Sequence, residues 1–288
     1  MIREKLIFKV PIEVNPPAEL CSTEGLAMIA ALETAYSATM SDIQKDRVCT
    51  WYNLMKGEGT TNGSDILSLL ASTGAVLYPQ IPLNDSTATA AAYAIDAISQ
   101  TTLGTFNNFL AGDITPTGVI GGTTKYFDSG VAPNAFIQNN VQFSVYCRNI
   151  PTSNTNNGSY ESGTTLRFLS NIRTSNDFTQ SINVPSGGKV NSGANGLIGA
   201  GRDSSVNEYG VRNGVRINDF SSGSVSANIY NIYFHAQNGA GALIGSGGDS
   251  ELCMYMMGAP TFTANELVDF YEAMQWLQTN IITGGRNV

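Results

Sequence analysis

The chain has 288 residues, room for one large or two ordinary domains, and its 42% hydrophobic content is enough to build a core. Only 13% of the residues are charged, against about 25% in ordinary soluble domains, so the polar surface must come from Ser, Thr, Asn, Gln and Gly. The net charge is −8 and no Lys or Arg occurs between Lys56 and Lys125, which excludes the basic stripe that nucleic-acid binding requires.

Residues 1–20 read as an extended arm. Leu6, Phe8, Val10 and Ile12 alternate with polar residues, and Pro16-Pro17 closes the segment. This suits either an edge strand or an arm that pairs with a neighbouring subunit. The start, MIREKLIFKVPIEV, has too short an apolar run and no small-residue cleavage site, so no signal peptide is expected. No run of 18 apolar residues exists, so no transmembrane helix is expected either.

Residues 21–105 read as a small helical domain. Ser22, Thr23 and Glu24 open a first helix that carries Leu26, Ile29, Ala30 and Leu32. Ser41 caps a second helix with Ile43, Val48, Trp51, Tyr52 and Met55. A short third helix is expected over Asp65–Ala71 with Ser64 as its cap, and a fourth over Ala88–Ile98.

The composition changes near Thr101, and residues 106–288 read as a β-domain with a closing helix. Thr115–Phe127 reads as two strands joined at Gly121-Gly122. Val141–Arg148 is the clearest single strand, with Val141, Phe143, Val145 and Cys147 on one face. Strands are further expected over Thr165–Leu169, Ser181–Val184, Leu197–Ala200, Glu208–Ile217, Asn228–Phe234 and Glu251–Met257, separated by glycine-rich turns. The strongest local signal is Asn213-Gly214. It is flanked by Tyr209 and Val211 on one side and Val215 and Ile217 on the other, which predicts a two-residue hairpin with Arg212 and Arg216 on the face away from the apolar residues. Many short strands at this spacing form an antiparallel sandwich or barrel. Thr263-Ala264-Asn265-Glu266 is a capping box, and Leu267, Phe270, Tyr271, Met274, Leu277 and Ile281 form the stripe of a last helix, stopped at Gly284-Gly285.

The chemistry-bearing residues are few. Cys21, Cys49, Cys147 and Cys253 form no CxxC pair and His235 is the only histidine, so a Cys/His zinc site is not expected. The cysteines read as reduced thiols or small core residues in a chain made in a reducing cytoplasm. His235, inside NIYNIYFHA, reads as a sheet residue rather than a triad base. There is no nucleophile elbow, P-loop or dinucleotide fingerprint. Asp203 and Glu208 are close in sequence but not expected on one strand face, so they make no glycosidase pair. Asp177, Asp203, Asp219 and Asp249 read as solvated turn residues rather than calcium ligands. No catalytic, cofactor or metal residues are assigned. Tyr160, Tyr209 and Tyr230 are the aromatic candidates for a glycan contact, and each equally suits the core.

Three segments carry a family resemblance: Gly118–Gly130, Leu197–Val215 and Leu252–Val288, the last holding Thr263–Glu266, Phe270–Gln275 and Gly285–Val288. In this order they resemble the concanavalin A-like (laminin G-type) sandwich of bacteriophage structural proteins, and Ala27–Leu54 resembles the short helical region that precedes it. The resemblance implies a mainly β chain: a concanavalin A-like jelly roll with a helical attachment domain in front and a helix packed on the sandwich. It implies a non-enzymatic virion component, for capsid decoration, head fibre or tail. Such a component is made in the host cytoplasm, is homo-oligomeric, touches other virion proteins and host-surface glycans, and uses neither cofactor, membrane nor nucleic acid. A free carbohydrate-binding module and a polysaccharide-cleaving enzyme are the alternatives.

Overall fold

The computed structural model describes residues 21–161, 166–184, 189–244 and 248–286; the arm expected over residues 1–20 lies outside them. The helices come first: α1 (Thr23–Tyr36), α2 (Asp42–Met55) and α3 (Ile66–Ser72). They are followed by β1 (Val76–Tyr78), α4 (Ala90–Tyr93), β2 (Ile95–Asp96), β3 (Thr101–Thr102), β4 (Thr105–Asn107), β5 (Ile114–Thr115), β6 (Gly118–Ile120) and β7 (Tyr126–Asp128). The long strands are β8 (Val141–Cys147), β9 (Thr155–Glu161), β10 (Leu166–Ile172), β11 (Asp177–Val184), β12 (Lys189–Ser192), β13 (Gly196–Arg202), β14 (Asn207–Arg212) and β15 (Val215–Ser221). The chain closes with β16 (Tyr233–Phe234), β17 (Gln237–Gly239), β18 (Ala242–Ile244), β19 (Glu251–Ala259) and α5 (Ala264–Asn280).

The strands form two large sheets. The first runs β15-β14-β13-β8-β19-β6-β5, with β1 also paired to β19; the second runs β12-β11-β10-β9-β16-β7-β4, with the β17–β18 hairpin attached to β9. All described pairings are antiparallel except β17 with β9. The protein is therefore mainly β, as the strand spacing implies. The sheets stack face to face. Phe143 and Tyr255 of the first sheet meet Phe127 and Phe234 of the second, with ring centroids 4.2–5.2 Å apart across the sheets. Val141, Phe143, Val145 and Cys147 point together into this interior, as period-2 alternation requires.

The outer face of the first sheet is covered. Tyr146, Leu197, Tyr209, Val211, Cys253, Met254 and Met256 pack with residues of α1, α2, α3 and α5 in one hydrophobic cluster. The helical segment thus has no core of its own, and β1 from within it adds to the sheet beside β19. Helix starts follow the sequence: Ser22, Ser41 and Thr263 accept backbone N–H bonds as caps, and the Thr263–Glu266 box closes in both directions. At α3 the cap is Asp65 rather than Ser64, its carboxylate accepting from Ser68 N at 2.9 Å.

Several expectations need correction. The helix expected over Ala88–Ile98 shrinks to α4, because Ile95 and Asp96 pair with Thr102 and Thr101 in a small sheet of their own. The buried Asp96 carboxylate also accepts from Leu77 N and Ser99 N, which fixes this turn. Gly121-Gly122 lies between two strands, β6 and β7, but these belong to different sheets. The hairpin turns instead at Pro116-Thr117 between β5 and β6, and the glycines carry the chain across to β7 in the other sheet. Only Tyr233–Phe234 of the expected Asn228–Phe234 strand is extended in a ladder.

The hairpin at Asn213-Gly214 forms, with φ of 47° and 77° as a type I′ turn needs. Its faces differ from the expectation. A two-residue turn sets Arg212 opposite Val215 and Val211 opposite Arg216. Arg216 therefore shares the outer face with Tyr209, its guanidinium 4.1 Å above that ring, while Arg212 turns to the other face.

The cysteine reading is corrected as well. Cys21 and Cys49 form a disulfide, and only Cys147 and Cys253 are free, both buried. The 28-residue spacing looked uninformative, but α1 and α2 run as a hairpin that returns Cys49 to the start of α1. Disulfides persist in oxidising surroundings, so the argument for a reducing one falls.

Candidate functional site

The helices cover the outer face of the first sheet, so the outer face of the second is the one without a helical layer. Its chemistry concentrates on β4, β7 and β16. Along β7 the order Tyr-Phe-Asp sends Phe127 inward, fully buried, and Tyr126 and Asp128 outward. On β16, Phe234 points inward and Tyr233 outward. The register aligns Thr105, Asp128, Tyr233 and Gly158 across four strands. Gly158, with φ of 135°, puts no side chain beside Tyr233.

The two outward tyrosines stack, with ring centroids 4.4 Å apart and planes at 25°. Tyr126 is half-buried and lies on the more buried Tyr233. The Tyr233 hydroxyl is pushed up to about 12 by burial first, then by the Asp128 charge and by Tyr126, so it stays a neutral donor at ordinary pH. Asp128 accepts from Asn231 Nδ2 at 3.0 Å and from Gly130 N at 2.9 Å. Asn231 is held in turn through its carbonyl, which accepts from Asn238 Nδ2 at 2.9 Å. The result is an aromatic plane edged by a positioned carboxylate, a carboxamide and the Thr105 hydroxyl. Such a surface can stack on the C–H face of a sugar ring and hydrogen-bond its hydroxyls.

The residues singled out in the sequence lie elsewhere. Tyr209 is fully buried, donating to Gln142 Oε1 at 3.3 Å, and is a core residue. Tyr230 is half-exposed beside Asn228. The side chain of Tyr160 lies outside the described residues. Asp203 and Asp219 both grip Arg216, at 2.6 and 2.7 Å, and Asp249 is tied to Thr152 and Ser153. Asp177 bonds the Ser175 hydroxyl. Among the described residues no group of three or more His, Cys, Asp or Glu side chains converges as a metal site. Glu208 is fully buried, 3.9 Å from the buried Arg202, and accepts from Ile182 N, whereas Asp203 stays at the surface. They do not form a carboxylate pair on one face.

His235 is buried, with φ of 64°, its Nε2 2.9 Å from the Tyr255 hydroxyl. Burial pushes its pKa down to about 3, so it is a neutral structural residue between the sheets. Tyr126, Asp128 and Tyr233 were not singled out in the sequence. Their alternation with phenylalanines shows which way each points, but only pairing across more than a hundred residues brings β7 and β16 together.

No helix among the described residues is long and apolar enough to cross a membrane. No protein-family model matches the chain, and neither does any curated protein sequence. Solved structures similar to it include a Trypanosoma rangeli sialidase and a mutant of it displaying trans-sialidase activity, each with TM-score 0.48, 9% identity, and 70% of this chain aligned to 33% of that one. The NanB sialidase of Streptococcus pneumoniae matches with TM-score 0.41 and 11% identity over 52% of this chain and 27% of its own. The chain thus spans about a third of the length of these sialidases. The finding corrects one expectation: the structural neighbours are enzymes, so the exclusion of enzymatic activity read from the sequence does not stand.

Proposed function

We propose that this chain is a glycan-recognition module on a concanavalin A-like jelly-roll sandwich, with the Tyr126–Tyr233 shelf as its contact surface. The observation that carries this reading is the stacked pair beside Asp128 and Asn231, on the face that the helices leave open. The covered face supports a division of labour: one side of the sandwich is used for its own packing, the other for recognition. The sequence resemblance and the charge-poor surface support a place on a phage particle, where repeated copies would turn weak contacts into firm attachment.

The test is titration of the whole chain with neutral oligosaccharides, followed by tyrosine fluorescence and by analysis of the sugar for cleavage. Saturable binding that Tyr126→Ala and Asp128→Asn each weaken is the expected result. Binding unchanged in both variants would remove the shelf from the reading, and released product would make the site an active site instead. A stable homo-oligomer that binds no glycan would favour a purely architectural virion role.

A further inference from the structure

Among the described side chains most cations are paired with a carboxylate, and one arginine has no polar partner of any kind. Arg47, Arg148, Arg173, Arg202 and Arg216 each lie within 4.0 Å of a carboxylate, and Arg286 is enclosed by carbonyl acceptors. Lys45, Lys56 and Lys125 are paired too. Among the described side chains, Arg212 is the one cation with neither a hydrogen bond nor an ion pair, and its Nε is buried without a partner.

The backbone around this guanidinium is fixed, although the guanidinium itself is unbonded. It lies over Gly193, where an added Cβ would stand 2.1 Å from Cζ. Gly193 and Ala194 are themselves fixed by Asn176, whose carbonyl accepts from Gly193 N at 2.7 Å and whose side chain accepts from Ala194 N at 2.9 Å. The Arg212 backbone belongs to the tight hairpin, which Asn213 anchors by accepting from Leu197 N at 3.0 Å. The residue is only half-buried, which leaves its terminal nitrogens open. Nearby Asn176, Ser192 and Asn195 are exposed and neutral.

We infer that Arg212 is an oxyanion-recognition point at the loop end of the sandwich, selecting the carboxylate of an acidic sugar. A planar carboxylate matches the fork of the two terminal nitrogens, whose donors the fold leaves unused. The amides and hydroxyls around it suit the sugar's hydroxyl groups. Nucleic acid would need further cations, and the chain's net charge of −8 opposes it. The site stands on β14, away from the tyrosine shelf on β7 and β16, so either can fail without the other.

The test is NMR titration of the whole labelled chain with D-glucuronate, methyl glucoside, sodium sulfate and a triglutamate peptide. It follows the Arg212 Nε–H and the amides of Gly193, Asn213 and Gly214. Saturable shifts with glucuronate, at a Kd on the order of 1 mM, are expected. Arg212→Gln should weaken them at least tenfold and Arg212→Lys less, because Lys keeps charge but loses the fork. Tyr126→Ala should leave them unchanged. Equal shifts in R212Q and the parent, or with methyl glucoside and glucuronate, would overturn the inference. Tighter saturation by triglutamate would replace the sugar with an acidic protein partner, and sulfate shifts spread over the whole surface would reduce it to nonspecific ion binding.

Discussion

Replacing Arg286 should destabilise the whole protein out of proportion to one residue. Its side chain is fully buried and no carboxylate is among its hydrogen-bond partners. It donates to Pro116 O at 3.0 Å, Cys253 O at 3.3 Å and Gln278 Oε1 at 2.9 Å, and also to Gln80 O. These acceptors belong to the β5–β6 turn, β19, α5 and the loop after β1, so one guanidinium ties four parts of the fold. Truncation strands four acceptors, three of them buried, at about 1 kcal/mol or more each and leaves a cavity, so Arg286→Ala should cost about 4–5 kcal/mol. Arg286→Met fills the volume but not the bonds, and should still cost about 3 kcal/mol, because backbone carbonyls cannot turn away to water. Urea unfolding of the full chain, followed by tryptophan fluorescence and circular dichroism, reads both. A loss below about 1.5 kcal/mol for R286A would refute the reasoning, since it would mean the acceptors find other donors or water.

Four further outcomes follow from the same structure. Reducing the Cys21–Cys49 disulfide, or Cys49→Ser, should lower stability by up to about 3.5 kcal/mol for a loop of this length, read as a shifted urea midpoint with and without dithiothreitol. His235 is neutral when folded down to about pH 3 but titrates near 6.5 when unfolded, so its contribution is complete above about 6.5 and falls as pH drops. Between pH 7 and 5 that amounts to about 2 kcal/mol, a slope that His235→Gln should remove. Tyr126→Ala and Tyr233→Ala should each weaken neutral-glycan binding at least tenfold, about 1.4 kcal/mol, in the fluorescence titration, while Tyr230→Ala changes it little. A single proteolytic cut between Thr101 and Asp113 should leave both fragments associated on size exclusion, because they share one hydrophobic cluster; fragments that separate would show a core divided at that point.

What could be read from the sequence was local. Ser41, the Thr263–Glu266 box and Asn213-Gly214 each act within a few residues, and each stands where its chemistry puts it. Alternation in Val141–Cys147 revealed both the strand and its inward face. What could not be read depended on distant pairing. Nothing around Cys21 announces Cys49, because the disulfide depends on how two helices fold back. Tyr209 reads equally as an exposed or a core aromatic until the helices and Arg216 cover it. The candidate shelf was hidden for the same reason: Tyr126 and Tyr233 are ordinary strand tyrosines until the register stacks them. Arg212 and Arg216 were assigned one face by counting along the strand, whereas the hairpin separates them across it.

The pairing of β1 with β19 reaches beyond stability. Synthesis runs from the helices towards α5, yet the helices complete their core only against the sheet and α5. A nascent chain therefore emerges with Leu32, Trp51 and Leu70 made long before Met256, Phe270 and Leu277 exist to cover them. Such non-local closure slows folding and leaves apolar surface open to wrong partners. The helical segment reaches its final packing only once β19 and α5 have been made.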